Sequence, residues 1–179
     1  MKNHSRKKGS GALSFSLYIL AVILITVFLR YFVIERVVVV GESMEPTLDS
    51  RDNVLVDKLS ARAGEIDRYD IVVFPVDGVF LIKRVYGLPG ETVRIDETGV
   101  IYINDKPIDD RYAYQIIKDP GRASGAGVTL QPDEYFVLGD NRNNSVDSRF
   151  SEVGNIKDKD IRGRVILRLT PLSRFGKIK

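Results

Sequence analysis

The stretch LSFSLYILAVILITVFLRYFVIERVVVV, residues 13–40, contains the change of pattern that decides the fold. Its first part, Leu13 to Leu29, is a run of 17 uncharged residues, of which twelve are Leu, Ile, Val or Phe. At the helical rise per residue this run covers roughly 26 Å, and its extension to Ile34 covers roughly 33 Å, enough for a bilayer hydrocarbon core of about 30 Å. The sequence therefore predicts one transmembrane anchor over residues 12–34.

A cleavable signal peptide also begins with basic residues and an apolar run, but its apolar part is shorter and ends at small residues. Here the run leads into Arg30 without an A-x-A pattern, so we favour an uncleaved anchor over a signal peptide or a buried core helix. Residues 1–11 form a basic tail, which the positive-inside rule places in the cytoplasm. We expect a single-pass type II protein of the cell membrane, with residues 35–179 outside the cytoplasm. The basic residues of the tail are Lys2, Arg6, Lys7 and Lys8.

The distribution of charge and the scarcity of cysteine and histidine exclude several classes of function. Taking the four basic tail residues from the 27 Lys and Arg leaves 23 against 24 Asp and Glu, so we expect no basic face and no nucleic-acid partner. The chain has no cysteine, and its one histidine is His4 in the tail. Cysteine nucleophiles and thiolate metal sites are therefore excluded, and a Ser-His-Asp triad would need His4 to reach the folded domain. A general base would be a carboxylate, a lysine or a tyrosine.

After the anchor, short β-branched runs separated by turn residues predict strands rather than helices. The predicted fold class is mainly β, an antiparallel β-sheet domain with a small β insertion at approximately residues 91–133, preceded by one transmembrane helix. Asn104 and Asp105 predict a hairpin turn, and residues 118–132 predict a loop. The predicted strands are Arg36 to Val40, Asn53 to Asp57, Asp70 to Phe74, Val79 to Tyr86, Thr92 to Asp96, Val100 to Ile103, Glu134 to Leu138 and Gly163 to Leu169.

The first candidate functional residue is Ser43, in the motif GESMEPTL that follows the Val37 to Val40 run. Glycine at position 41 permits unusual backbone angles, and Pro46 restricts the residue before it. Ser43 is therefore predicted on a constrained turn just off a strand, where its hydroxyl is exposed. The alternative is an ordinary turn serine.

The second candidate is Lys83, which lies inside the apolar run VFLIKRVY. Strand alternation places it on the same face as Leu81 and Val85. Desolvation there would disfavour the charged amine, and a neutral amine can take the proton of a serine hydroxyl. The alternative is a lysine on an edge strand whose amine extends to solvent.

The third candidate is the polar motif GDNRNNSVDSR, Gly139 to Arg149. Its hydroxyls, amides and opposite charges can form one hydrogen-bonded scaffold. A solvated loop and an aspartate-rich calcium loop are the alternatives, and two arginines disfavour the calcium loop.

Together these segments resemble bacterial type I signal peptidases, the membrane-bound serine endopeptidases that cleave N-terminal signal peptides from exported preproteins. The third motif is specific to that family, and the blocks occur in the family's order along nearly all of the chain. The resemblance implies an enzyme with no metal or organic cofactor, partnered by preprotein signal peptides and a phospholipid membrane, and we expect a monomer. The matching stretches are GESMEPTL at 41–48, RYDIVVF at 68–74, IKRVYGLPGE at 82–91, GDNRNNSVDSR at 139–149 and GRVILRLTP at 163–171.

The resemblance also implies a role for single residues. Ser43 matches the nucleophile and Lys83 the general base. Ser145 matches a hydroxyl that orients the lysine amine, Asp147 and Arg149 match a supporting salt bridge, and Asp140 would pair with Arg84. The pockets for the small side chains of an A-x-A-like cleavage site would be lined by Val39, Met44, Leu81 and Ile82.

Gly41 departs from those members in which a serine two residues before the nucleophile donates to the oxyanion. A glycine at this position resembles the motif of Gram-positive enzymes of the family. Backbone N–H groups, including that of Ser43, would then hold the oxyanion. Two other classes of protein remain as alternatives. One is the self-cleaving repressors, which share Ser-Lys chemistry, and the other is a surface-anchored binding module or inactive homologue.

Overall fold

The computed structural model describes residues 10–178. Helix α1, Ser10–Phe28, continues into one π-helical turn, Leu29–Val33. Within these, Leu13–Val33 has a mean hydropathy of 2.2, and the segment is long and apolar enough to cross a membrane. The predicted apolar helix is therefore confirmed. Of the basic tail, residues 1–9 lie outside the described part of the chain.

The rest of the chain is mainly antiparallel β structure, which confirms the predicted fold class. Of the eight predicted strands, two have the predicted bounds and the others differ by up to two residues at an end. The strands are β1 Ile34–Val38, β2 Asn53–Asp57, β3 Ile71–Val76, β4 Val79–Gly87, β5 Thr92–Ile95, β6 Ile101–Ile103, β7 Lys106–Pro107, β8 Val128–Thr129, β9 Glu134–Leu138, β10 Ile156–Lys157, β11 Gly163–Thr170 and β12 Gly176–Lys177.

The strands form two sheets. The large sheet has the order β1-β2-β11-β3-β4-β9-β10, with β12 paired to β11, and the small sheet has the order β7-β6-β5-β8. Asn104 and Asp105 have φ of 49° and 63° and join β6 to β7, which confirms the predicted hairpin turn. The loop predicted at 118–132 instead contains β8 and a 3-10 turn, Gly121–Ala123. Segments this short have no detectable periodicity.

One short helix follows β2 and was not predicted. Helix α2, Lys58–Arg62, begins after Asp57, whose carboxylate accepts the backbone N–H groups of Leu59 and Ser60 at 2.8 and 3.4 Å. An aspartate N-cap of this kind satisfies donors that the first helical turn leaves unpaired.

Strand β4 contributes to all three apolar clusters of the core. Ile82 packs with the cluster around β2, Val85 with the cluster around β3 and β9, and Tyr86 with the cluster of the small sheet. Lys83 and Arg84 lie between these residues and are 3% and 0% exposed. The fold thus buries two cations at the centre of the large sheet, and each must be neutralised or paired.

Candidate active site

Ser43 lies on a turn that the chain holds from two sides; we call residues 41–48 the nucleophile turn. Gly41 opens it with φ of 94°. Met44 and Leu48 are buried, and the Leu48 N–H donates to the Met44 carbonyl at 2.9 Å. From the other side, Asn141 donates its backbone N–H to the Ser43 carbonyl at 3.0 Å and its side-chain amide to the Glu42 carbonyl at 3.1 Å. These contacts fix the backbone that carries the Ser43 hydroxyl.

The amine of Lys83 meets this hydroxyl. Lys83 Nζ lies 2.7 Å from Ser43 Oγ. Burial lowers the pKa of the Lys83 amine to about 8, although the negative charges of Asp147 and Asp140 act to raise it. A neutral amine is therefore accessible near neutral pH, within hydrogen-bonding distance of the proton that general-base catalysis moves.

Asp147 is the centre of the catalytic-support loop, residues 139–149. Its carboxylate is fully buried and accepts from Arg149 Nε and Nη2 at 2.8 and 2.9 Å, and from the Gly139 N–H at 3.0 Å. The Ser145 hydroxyl donates to the same carboxylate at 2.8 Å. Within the described residues Ser145 makes no hydrogen bond to Lys83, whereas the family resemblance predicts that it orients the amine. A carboxylate two residues away is the stronger acceptor.

Arg84 and Asp140 form a second buried pair. Arg84 Nε and Nη2 lie 2.8 and 2.6 Å from the Asp140 oxygens, and both side chains are fully buried. The Arg84 guanidinium also donates to the Tyr69 carbonyl at 2.9 Å and stacks 3.8 Å from the ring centre of Tyr112. Sequence reasoning missed Tyr112, which lies 28 residues from Arg84 in a segment without periodicity. A bidentate pair of this kind satisfies the cation adjoining Lys83.

Of the four residues predicted to line substrate pockets, three are buried and one is partly buried. Val39, Met44 and Ile82 are 3%, 1% and 8% exposed and pack in one core cluster. Leu81 is partly buried against another cluster. The surface that these side chains offer to a substrate is therefore small. Exposed apolar surface near the turn comes instead from Val38 and Val40, which are 51% and 88% exposed.

Backbone donors near Ser43 are available to a ligand. Within the described residues the Ser43 N–H has no hydrogen-bond partner. A Cβ added to Gly41 would meet no atom within 4 Å, so the space beside the turn is open. The arrangement fits an oxyanion held by backbone N–H groups.

A serine hydroxyl in contact with a buried lysine, on an antiparallel sheet behind an apolar helix, is the arrangement of a membrane-anchored Ser-Lys hydrolase. The sequence model of the signal peptidase family, peptidase S26, matches residues 12–170. Signal peptidase I S of Bacillus subtilis is 36% identical over 187 residues, covering 99% of each chain. The probable signal peptidase I-2 of a Synechocystis strain is 36% identical over 162 residues, covering 86% of this chain and 71% of the relative. The chain belongs to the signal peptidase family.

This assignment confirms the resemblance in the motifs and decides against a self-cleaving repressor. A crystal structure of a signal peptidase I from Enterococcus faecalis aligns with 55% of this chain and 95% of its own, at 30% identity and a TM-score of 0.46.

Proposed function

We propose that Ser43 and Lys83 are the nucleophile and general base with which this signal peptidase cleaves signal peptides from preproteins. The observation that carries the proposal is the 2.7 Å contact between Lys83 Nζ and Ser43 Oγ, in a site where the lysine is 3% exposed. Where no histidine serves as general base, a desolvated amine beside the serine hydroxyl can take its proton.

The reaction has two halves. Neutral Lys83 takes the Ser43 proton as Oγ bonds to the scissile carbonyl carbon, and the Ser43 N–H stabilises the oxyanion. The ammonium then gives its proton to the leaving amine as the peptide C–N bond breaks. In the second half, Lys83 takes a proton from water as the water oxygen attacks the acyl carbon, and it gives that proton to Ser43 Oγ as the ester C–O bond breaks and the carboxylic acid product leaves.

The supporting residues act on the charge of Lys83. Asp147 alone would hold a proton on the amine, because its negative charge raises the pKa of Lys83. Arg149 offsets that charge through its two hydrogen bonds, and Ser145 occupies a further lone pair of the carboxylate. Arg84 offsets Asp140 in the same way. Burial of the lysine then dominates its pKa.

The substrates we propose are preproteins with an A-x-A-like cleavage site, and Val39, Met44, Leu81 and Ile82 would form the floor below its small side chains. The basic tail, residues 1–11, lies in the cytoplasm, residues 12–34 span the membrane, and residues 35–179 form the external catalytic domain, with its insertion at approximately 91–133. The enzyme acts as a monomer without nucleic acid. Anchoring enzyme and signal peptide in one bilayer raises their effective concentration.

The test is cleavage of a preprotein by the full chain in detergent micelles. Ser43→Ala and Lys83→Met should each abolish cleavage. The matched controls Ser50→Ala and Lys159→Met change exposed residues and should retain the full rate. Complete processing by either site variant would contradict the assignment.

Labelling distinguishes the enzyme from an inactive anchored homologue. A lactam-type acylating probe should label the wild-type chain at Ser43 and leave Ser43→Ala unlabelled. Failure to label the wild-type protein would favour the inactive homologue.

A further inference from the structure

The catalytic-support loop, residues 139–149, has little regular structure to hold its shape. Within it the structure has one 3-10 turn, Arg142–Asn144. Yet the loop places the fully buried Asp147 near Lys83 and the Asn141 N–H on the Ser43 carbonyl. Ordering an irregular loop has an entropy cost at every residue. Contacts from outside the loop must offset that cost.

Those contacts come from the segment that leads from β7 towards β8; we call residues 109–122 the return segment. It lies along the support loop and bonds to it near both ends and in the middle. These hydrogen bonds include those from the Tyr114 N–H to the Asp140 carbonyl at 2.9 Å, from the Lys118 N–H to Asn143 Oδ1 at 3.1 Å, from Arg149 Nη1 to the Asp119 carbonyl at 3.1 Å and from the Arg122 N–H to the Arg149 carbonyl at 2.9 Å.

Asp110 makes the one ion pair between the two segments in the described part of the chain. Both of its oxygens bind the guanidinium of Arg142, whose side chain is fully buried, while the Asp110 side chain is 24% exposed. The Tyr86 hydroxyl completes this cluster, because it accepts from Arg142 Nη2 and donates to Asp110 Oδ1, both at 2.6 Å.

Arg142 connects this cluster to the active site. Its Nε donates to the Gly139 carbonyl at 2.9 Å, and the Gly139 N–H donates to Asp147. Gly139 also lies against the nucleophile turn, since a Cβ added there would come within 2.6 Å of the Ser43 carbonyl oxygen. A displacement of Arg142 would therefore move both the carboxylate that acts on Lys83 and the backbone against Ser43.

We propose that the return segment clamps the support loop, and that Asp110 is a positioning residue for the Ser43–Lys83 pair. The inference rests on the proposed function. Asp110 acts through Arg142 and does not touch the reacting atoms. Without it a buried guanidinium has no carboxylate, and the loop must move to hydrate the charge. A displacement of about 1 Å at a catalytic group can lower the rate about 100-fold.

The experiment compares Asp110→Ala with Asp109→Ala in the full chain, in detergent micelles. Asp109 is the matched control, because it is the adjoining aspartate, its side chain is 65% exposed and it pairs with the exposed Arg111. We measure kcat and KM for a preprotein well below the melting temperature of every variant, per molecule labelled at Ser43. We expect Asp110→Ala to lower kcat about 10- to 100-fold with KM changed less than about twofold. Asp109→Ala should keep both constants.

A merely structural role would lower the melting temperature of Asp110→Ala and leave kcat per labelled molecule at the Asp109→Ala value, which would overturn the inference. If Asp110→Ala does not fold, Asp110→Asn decides, because it keeps the shape and one acceptor oxygen. It should lower kcat below that of its control Asp109→Asn, and a kcat equal to that of Asp109→Asn would overturn the inference. Ser43→Ala separates the two proposals: cleavage by it refutes the proposed function, whereas inactive Ser43→Ala beside fully active Asp110→Ala refutes the clamp alone.

Discussion

Replacing Lys83 by methionine should abolish cleavage and, at neutral pH, stabilise the fold. Burial lowers the pKa of Lys83 from 10.5 to about 8, and each pKa unit corresponds to about 1.4 kcal/mol. The buried amine therefore destabilises the folded state by about 3 kcal/mol at pH 7. Loss of the hydrogen bond to Ser43 destabilises the variant by about 1 kcal/mol. The net gain for Lys83→Met is about 2 kcal/mol.

The sign of the pH dependence follows from which state binds the proton. Between pH 10.5 and about 8 the unfolded chain is protonated at Lys83 and the folded chain is not. The free energy of unfolding of the wild type therefore falls as the pH falls through this window. Below about pH 8 the contribution of Lys83 no longer changes with pH. The stability difference between Lys83→Met and the wild type should fall by about 2.5 kcal/mol when the pH is raised from 7 to 10, so that the gain at pH 7 becomes a small loss.

Urea unfolding of the full chain in detergent micelles, followed by circular dichroism at several pH values, measures this difference. Lys159→Met, an exposed control, should show no change of the difference with pH. For the wild-type enzyme, kcat/KM should rise with pH and level off above about 8. A stability difference that stays constant from pH 7 to 10, or a rate profile with an apparent pKa near 10, would refute the desolvated lysine.

Three further predictions concern charge, space and anchoring. Asp147→Asn should shift the apparent pKa of kcat/KM downwards, because the carboxylate raises the pKa of Lys83, and equal pH profiles for variant and wild type would contradict this. Gly139→Ala would bring a Cβ within 2.2 Å of Ser145 Oγ and should lower kcat at least about 10-fold; a kcat within twofold of wild type would contradict the close packing. Lys58 donates to the Tyr31 carbonyl at 2.8 Å, at the end of the anchor, so Lys58→Met should slow cleavage of a vesicle-bound preprotein and spare a soluble peptide. Equal effects on the two substrates would argue against a role in orienting the domain.

The sequence predicts the strands that are long enough to have a recognisable apolar pattern. Short apolar runs bounded by turn residues predict Asn53–Asp57 and Glu134–Leu138 with their observed bounds. The predicted strand Arg36 to Val40 extends past the end of β1 at Val38, where the Val39 carbonyl accepts from the Arg51 N–H instead of the Asp52 N–H and the pairing with β2 loses its register. Alternation cannot show where a partner strand ends. The same limit applies to β8, β10 and β12, which have two residues each.

In the candidate site too, some residues can be found from the sequence and others only from the structure. Ser43 and Lys83 stood out because each breaks a local pattern, one as a serine on a glycine-led turn and the other as a charge in an apolar strand. Asp110 breaks no pattern, since it lies among polar residues in a segment without periodicity. Its partner Arg142 is 32 residues away, and only the folded chain brings the two together.

Burial explains why Lys83 can lose its proton, and the carboxylates that oppose this are each held in an ion pair. Three carboxylates, those of Asp110, Asp140 and Asp147, lie in one connected region of the fold, and each is matched by a guanidinium. An unmatched buried carboxylate would stabilise the ammonium form of Lys83 and make it useless as a base. Asp147 and Asp140 act to raise the pKa of Lys83, but burial lowers it by more. We therefore expect the arginines of the support loop to affect the reaction through the carboxylates they bind, without touching the substrate.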